Sequence, residues 1–251
     1  MTQTTGRRER QREATYTEIV RTALALLGDG EEVSLRAVAG RMGMTAPALY
    51  RYVASYQELV DVVAFEIDKA ATEHLRAAAS RYPDDDPAGQ LMAAVVAFRR
   101  WALENHREFA LVFANPVADT TCVRRELITS ATSGHFMNGL LVDVWRKYDV
   151  ATPSPDDLDP EVREIVREPL IPMDLSAIPD EERGILWLFM RAWAALYGVV
   201  TLEVFGHLDP RVIESGAMFI SMLREWAPRL GLDDDWNRLE ELLARELSHP
   251  S

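Results

Sequence analysis

The stretch "SLRAVAGRMGMTAPALYRYVASYQELV", residues 34–60, leaves the chain few ways to fold. Ser34 is an N-cap residue followed by Leu35, Val38, Ala39 and Met42, one apolar stripe at helical spacing, and Gly43 ends the run. Thr45 opens a further helix that tolerates Pro47 in its first turn and turns Leu49 and Val53 inward. Ser55-Tyr56-Gln57-Glu58 matches a capping box, which starts a long fourth helix reaching about Ser80. Two short helices around a glycine turn are the pattern of a helix-turn-helix.

The side chains left off those stripes are the informative ones. In a helix-turn-helix the second helix offers its N-terminal residues to base edges, while the first crosses the backbone. Thr45, Ala46, Pro47 and Ala48 are small enough for close approach, and an alanine or proline surface fits thymine methyls. Tyr50, Arg51, Tyr52 and Tyr56 reach phosphates or the groove floor, and Ser34 stands where the first of the two helices meets the backbone. The opposing reading is a three-helix packing unit with surface tyrosines that serves as a protein dock.

Charge supports the first reading once it is divided by position. The whole chain carries a net charge of −13, yet residues 1–56 hold eight arginines against six acids. Only this first quarter suits a polyanion, and an acidic remainder would orient it. The arm "GRRERQR" adds Arg7, Arg8, Arg10 and Arg12, which either follow phosphates or enter a minor groove. A disordered solubilising tail is the alternative, with Glu9 and Glu13 diluting the charge.

The rest of the chain reads as helix. Tyr16, Ile19, Val20, Ala23, Leu24 and Leu27 predict a first helix over about Thr15–Leu27, with Gly28 as a left-handed cap. From Pro87 onward, "AGQLMAAVVAFRRWAL" and "HREFALVFA" are apolar nearly all round, as in helices buried on several sides. A helix over about Thr120–Lys147 follows, weakened near Gly134 and Gly139. Six prolines between Asp149 and Glu182 forbid a continuous helix there, although a short turn survives at Glu161–Arg167. "RGILWLFMRAWAALYGVVTLEVFG" and "DPRVIESGAMFISMLREWAPRL" predict two long apolar helices, the second over about Asp209–Leu230, and "DDDWNRLEELLAREL" a last amphipathic one. With no strand alternation and no repeat, the expected fold is all-α. Its parts are a flexible basic arm (1–14), a DNA-binding domain (15–60, its fourth helix continuing to about 80) and a helical domain (61–251) that is expected to bind an effector and, by the family resemblance that follows from residues 34–60, to dimerise.

Residues 34–60 resemble the DNA-binding signature of the TetR family of bacterial transcriptional regulators over about Tyr16–Val63. The resemblance implies a backbone-contacting Tyr50, a capping and phosphate-contacting hydroxyl at Thr45, and a core aromatic position held here by Val53. Where the family often places a phosphate-binding lysine, this chain has Tyr56, which donates a hydrogen bond but no charge. "RAWAALYGVVTLEVFGHL" resembles the late helix of the WHG-type C-terminal domain through Trp193, Gly198, Glu203, Phe205, Gly206 and His207, with Tyr197 where histidine is common. The resemblance implies a homodimer through the last long helices, repression as the default, a double-stranded DNA operator as partner and a small-molecule effector. Two related reading helices would recognise a palindrome with half-sites about 34 Å, or a multiple, apart.

Arg100, Trp101, Phe109, Phe113, Met137, Trp145, Met190, Trp193 and Tyr197 are candidate pocket residues, with His106, Phe136 and Trp187 nearby in the pattern. Aromatics at this spacing equally suit an ordinary core. No metal site, cofactor or catalytic group is expected: the five histidines never fall at ligand spacing, Cys122 is the only cysteine, and no phosphate loop or nucleophile elbow occurs. Asp84–Asp86 and Asp233–Asp235 are expected to be solvated acids preceding helices. No apolar run is expected to reach the roughly 20 residues of a membrane span. With no secretory signal either, the expected compartment is the cytoplasm.

Overall fold

Apolar residues every three to four positions make helices, and the computed structural model of the chain, which describes residues 3–114 and 131–248, contains no strand among them. The chain divides into two compact units. The first comprises Met1–Asp68 with Arg107–Pro116, the second Lys69–His106 with Val117–Ser251. The first unit therefore exceeds the domain expected at 15–60: the inward face of the fourth helix continues through Val63 and Ile67, and Phe109 is fully buried in the same unit.

In the first unit α1 (Gln3–Gly28) packs on α2 (Leu35–Arg41), and α2 on α3 (Ala46–Leu49). The fourth helix, α4 (Tyr56–Ala79), gives its first half to this unit and its second half to the other. Helix α1 starts twelve residues before the expected Thr15, so the arm is helical instead of flexible. Its Arg, Glu and Gln residues are good helix formers that outweigh the roughly 1 kcal/mol cost of Gly6. The helix also runs through Gly28, and the left-handed residue is Gly30.

α6 (His106–Phe109) continues into a π-helical turn, Ala110–Ala114. Within the first unit Arg107 donates from Nη1 to the Gly28 carbonyl at 2.9 Å, a cation at the negative end of α1.

In the second unit α5 (Pro87–Glu104) is central. It packs against α7 (Thr132–Lys147), against α12 (Trp236–Ser248) and against α9 (Ile185–Val204). Ten of its residues from Pro87 to Phe98 are buried, as the all-round apolar pattern requires. The first part of the helix expected from Thr120 lies outside the described residues; the rest is α7. The proline-rich connector keeps only α8 (Pro160–Arg167) and three 3-10 turns. The single helix expected over Asp209–Leu230 is broken into α10 (Pro210–Ser215) and α11 (Ala217–Trp226) by Gly216, whose φ of 65° is left-handed.

Helix α9 corrects a further expectation, because its 20 residues are long and apolar enough to cross a membrane by composition alone. Arg191 interrupts the run in the sequence and hides its length. One face, with Ile185, Phe189, Leu196 and Val200, packs inward, while Trp193, Leu202 and the following Phe205 are exposed.

The two aspartate runs are more than solvated caps. Asp86 caps α5 through the Gly89 N–H, and Arg238 of α12 grips Asp86 with two hydrogen bonds of 2.7 and 2.9 Å while also binding Asp235. Tyr148 donates to Asp235, and Lys147 to the Asp85 carbonyl. Partial burial raises the Asp86 carboxyl, but the Arg238 and Gly89 hydrogen bonds and the nearby cations outweigh it and leave it below its ordinary value. Hydrogen bonds from Arg238 likewise lower Asp235. Carboxyls lowered on folding add stability that is complete above their unfolded values, near pH 4, and is lost as pH falls through the folded ones. Arg238→Ala is therefore expected to lower the melting temperature at pH 7, with the gap to wild type narrowing below about pH 4. An equal gap at pH 7 and pH 3 would contradict this assignment.

Candidate nucleic-acid interface

A recognition helix must be held firmly by residues that do not touch its ligand. The Ser34 side chain caps α2 by accepting the Ala37 N–H at 3.2 Å. Leu35, Val38 and Ala39 are buried beneath it. Gly43, with φ of 66°, makes the turn, and the Met44 N–H returns to the Ala39 carbonyl at 2.8 Å. Beyond the single turn of α3, Tyr52 and Val53 N–H groups both bond the Leu49 carbonyl, so the helical path is prolonged to Val53. Leu49 and Val53 are the buried anchors. The Ser55 hydroxyl oxygen then accepts the Glu58 N–H at 3.0 Å, and the Glu58 carboxylate accepts the Ala54 N–H at 2.5 Å, a capping box shifted by one residue.

This frame leaves one face outward. Thr45, Pro47, Tyr50, Arg51 and Tyr56 are exposed, with Tyr50 and Tyr56 at 52% and 53%, while Ala46, Ala48 and Tyr52 are half-buried. Thr45 occupies the N-cap position of α3, but its side chain makes no capping bond, contrary to the capping hydroxyl expected there. On α1, Arg7, Arg10 and Arg12 are exposed; the Arg8 side chain lies outside the described residues. Sequence reasoning missed Arg36, exposed in the first turn of α2 and legible as the basic residue beside the stripe of Leu35, Val38 and Ala39. Arg41 is spent internally, bound to Asp29 at 2.8 Å and Glu31 at 2.6 Å. In the same unit partial burial pushes the Tyr16 hydroxyl up, and Glu58 and Glu66 push it further.

The candidate pocket residues fall in both units. Phe109 and Phe113 belong to the first, with ring centres 5.1 Å apart, and the other seven belong to the second. Trp193 lies 5.5 Å from Phe98 and stacks on Tyr197 at 5.9 Å. One turn beyond Tyr197, the buried Thr201 hydroxyl has no hydrogen-bond partner among the described residues. Trp101 and Met137 are buried and Met190 is half-buried. Trp145 donates to Thr152 at 2.8 Å beside an open depression of about 710 Å³ that also exposes Arg146, Asp149 and Glu182. Arg100, expected as a polar anchor for ligand, instead donates to the Glu246 carbonyl and ties α12 to α5. Its neighbour Arg99, which the sequence reading passed over, forms a buried ion pair with Glu203. Burial pushes the Glu203 carboxyl up, against the pull of the Arg99 guanidinium. The signal was there: an arginine inside an otherwise apolar helix needs a partner.

Residues 91–226 match the family described as tetracyclin repressor-like, C-terminal domain. HTH-type transcriptional regulators of Mycobacterium bovis and Mycobacterium tuberculosis are 27% identical to this chain over 228 residues, covering 87% of it and 93% of each relative. A regulatory protein of known crystal structure, 22% identical, superposes with a TM-score of 0.58 over 94% of this chain and 98% of its own, a likeness of fold. The matching family and the mycobacterial relatives are regulators of transcription and not enzymes.

The contrast between the two capping positions is testable. Ser34→Ala is expected to cost about 1 kcal/mol of stability in urea unfolding, whereas Thr45→Ala stays within about 0.5 kcal/mol. Equal losses would show that Thr45 is also structural.

Proposed function

The chain belongs to the tetracycline repressor-like family of helix-turn-helix transcriptional regulators, and from that premise we propose a homodimeric repressor that a small molecule releases from a palindromic operator. The observation that carries the reading is the outward face of α3, where Thr45, Pro47, Tyr50 and Arg51 are exposed above the buried Leu49 and Val53. In this reading Thr45, Ala46, Pro47 and Ala48 meet base edges. Tyr50, Arg51, Tyr52 and Tyr56 bind phosphates or the groove floor, and the Ser34 end of α2 meets the backbone. Arg7 and Arg8 add phosphate binding from the arm, compensating for the charge that Tyr56 lacks.

A second copy would cover the exposed apolar side chains of α9 and α11, Trp193, Leu202 and Met218 among them, together with Phe205 just beyond α9. Symmetry then doubles the sequence read by one short helix. The effector would occupy the second unit near the Trp193–Tyr197 stack, where the Thr201 hydroxyl, without a partner among the described residues, could meet a polar group. The protein would work in the cytoplasm, on the chromosome.

The direct test retains sheared genomic DNA of the source organism on the purified protein and sequences what is held. Enrichment of one near-palindromic site is expected; retention without sequence preference would favour a protein dock or a non-specific binder. On that site Tyr50→Phe combined with Arg51→Ala is expected to weaken binding at least about tenfold, whereas Arg41→Ala, already engaged by two carboxylates, changes it little. Deleting residues 1–12 should lower the slope of log affinity against log salt by about 0.9 for each phosphate that the arm neutralises. An unchanged slope would remove the arm from the interface.

A further inference from the structure

One guanidinium in the second unit touches three successive elements. Arg99 of α5 is 7% exposed and Glu203, in the last turn of α9, 2%. Arg99 Nε donates to Glu203 Oε2 at 2.6 Å, and Nη2 donates to Glu203 Oε1 at 3.3 Å and to the Ile213 carbonyl of α10 at 2.6 Å. Its Cζ stands 5.4 Å from the centre of the Phe219 ring on α11. The left-handed Gly216 that separates α10 from α11 is packed against the same group: a Cβ there would lie 3.7 Å from Arg99 Cζ.

Two of the residues held by this guanidinium, Glu203 and Phe219, have exposed apolar neighbours in sequence. Leu202 precedes Glu203 and Phe205 follows two residues on; Met218 precedes Phe219. Adjacent residues on a helix point about 100° apart, so fixing Glu203 and Phe219 inward fixes the facing of Leu202 and Met218 outward. A burial preference alone constrains this weakly on α9, because its outer face carries a single charge, Arg191, among apolar residues. A bidentate ion pair supplies the missing constraint, since rotation would strand two buried charges.

We propose that Arg99 is a positioning residue, holding α9, α10 and α11 in the one arrangement that presents the apolar residues of α9 and α11 to a second copy of the chain. The inference rests on the dimer reading above. It gives the buried pair a role in specificity of association beyond stability, and it makes α5 the helix against which the dimer surface is set.

The test replaces the pair by apolar residues of similar volume, Arg99→Met with Glu203→Leu, a change that often leaves stability intact. Helix content is read by far-ultraviolet circular dichroism and the monomer–dimer equilibrium by sedimentation. The expected result is a dimeric wild type and a variant of equal helix content whose dimer dissociates at roughly tenfold or higher concentration. A folded variant with an unchanged dimer constant overturns the inference and leaves the dimer reading standing. A monomeric wild type overturns both. Should the double variant lose its helix content, Glu203→Gln decides: it keeps the side chain's shape and one acceptor, so it is expected to fold and to dimerise more weakly, and an unchanged dimer constant in it overturns the inference.

Discussion

A helix of four residues cannot hold itself together. Forming its first turn fixes several backbone angles for one hydrogen bond, so α3 exists only because the rest of its unit imposes it. Leu49 and Val53 bury its inner side, Gly43 sets the turn before it, and the Ser55–Glu58 box closes the chain behind it. Shortness is also what makes it useful. Two buried anchors consume so little of the helix that Thr45, Pro47, Tyr50 and Arg51 are all left outward.

The second unit meets a different demand. In the proposed reading it is stable, associates with a copy of itself and responds to a ligand, and polar groups set in its apolar helices hold it together. Arg238 ties α12 to the cap of α5, and Arg100 binds the far end of the same helix. Arg99 and Glu203 fix how α9 and α11 face. Thr201 carries one of the buried polar atoms that have no hydrogen-bond partner among the described residues. Among the described residues two stretches of chain pass between the units: α4, and the junction from α5 to the Arg107 segment that clamps α1. A coupling of about 1–3 kcal/mol carried by such links would change DNA affinity about 5- to 150-fold.

The reading unit was legible because its signals are local. Ser34, Gly43, Pro47 and the Ser55–Glu58 box act on their immediate neighbours, and the helices they delimit lie where the sequence puts them. What escaped depends on distant partners. Gly28 looked like the end of α1, yet the left-handed bend falls at Gly30, beside Arg107, which is remote in sequence. The pattern over Asp209–Leu230 ran smoothly through Gly216, whose left-handed backbone breaks the helix where it packs against Leu247 and the buried Arg99. Arg100 and Arg99 are neighbours of the same type, and periodicity cannot say that one meets a backbone carbonyl and the other a carboxylate. The placement of Phe109 and Phe113 in the first unit was likewise invisible, because an apolar helix reveals that it is buried but not in which core.

The central claim is that two copies of α3 read one DNA duplex together. The most direct measurement is hydroxyl-radical footprinting of the wild-type protein on a genomic site that it retains. Two protected patches on one face of the duplex, separated by one helical turn or a small multiple and related by two-fold symmetry, are the predicted result. A single protected patch, or protection without symmetry on every retained site, would contradict it.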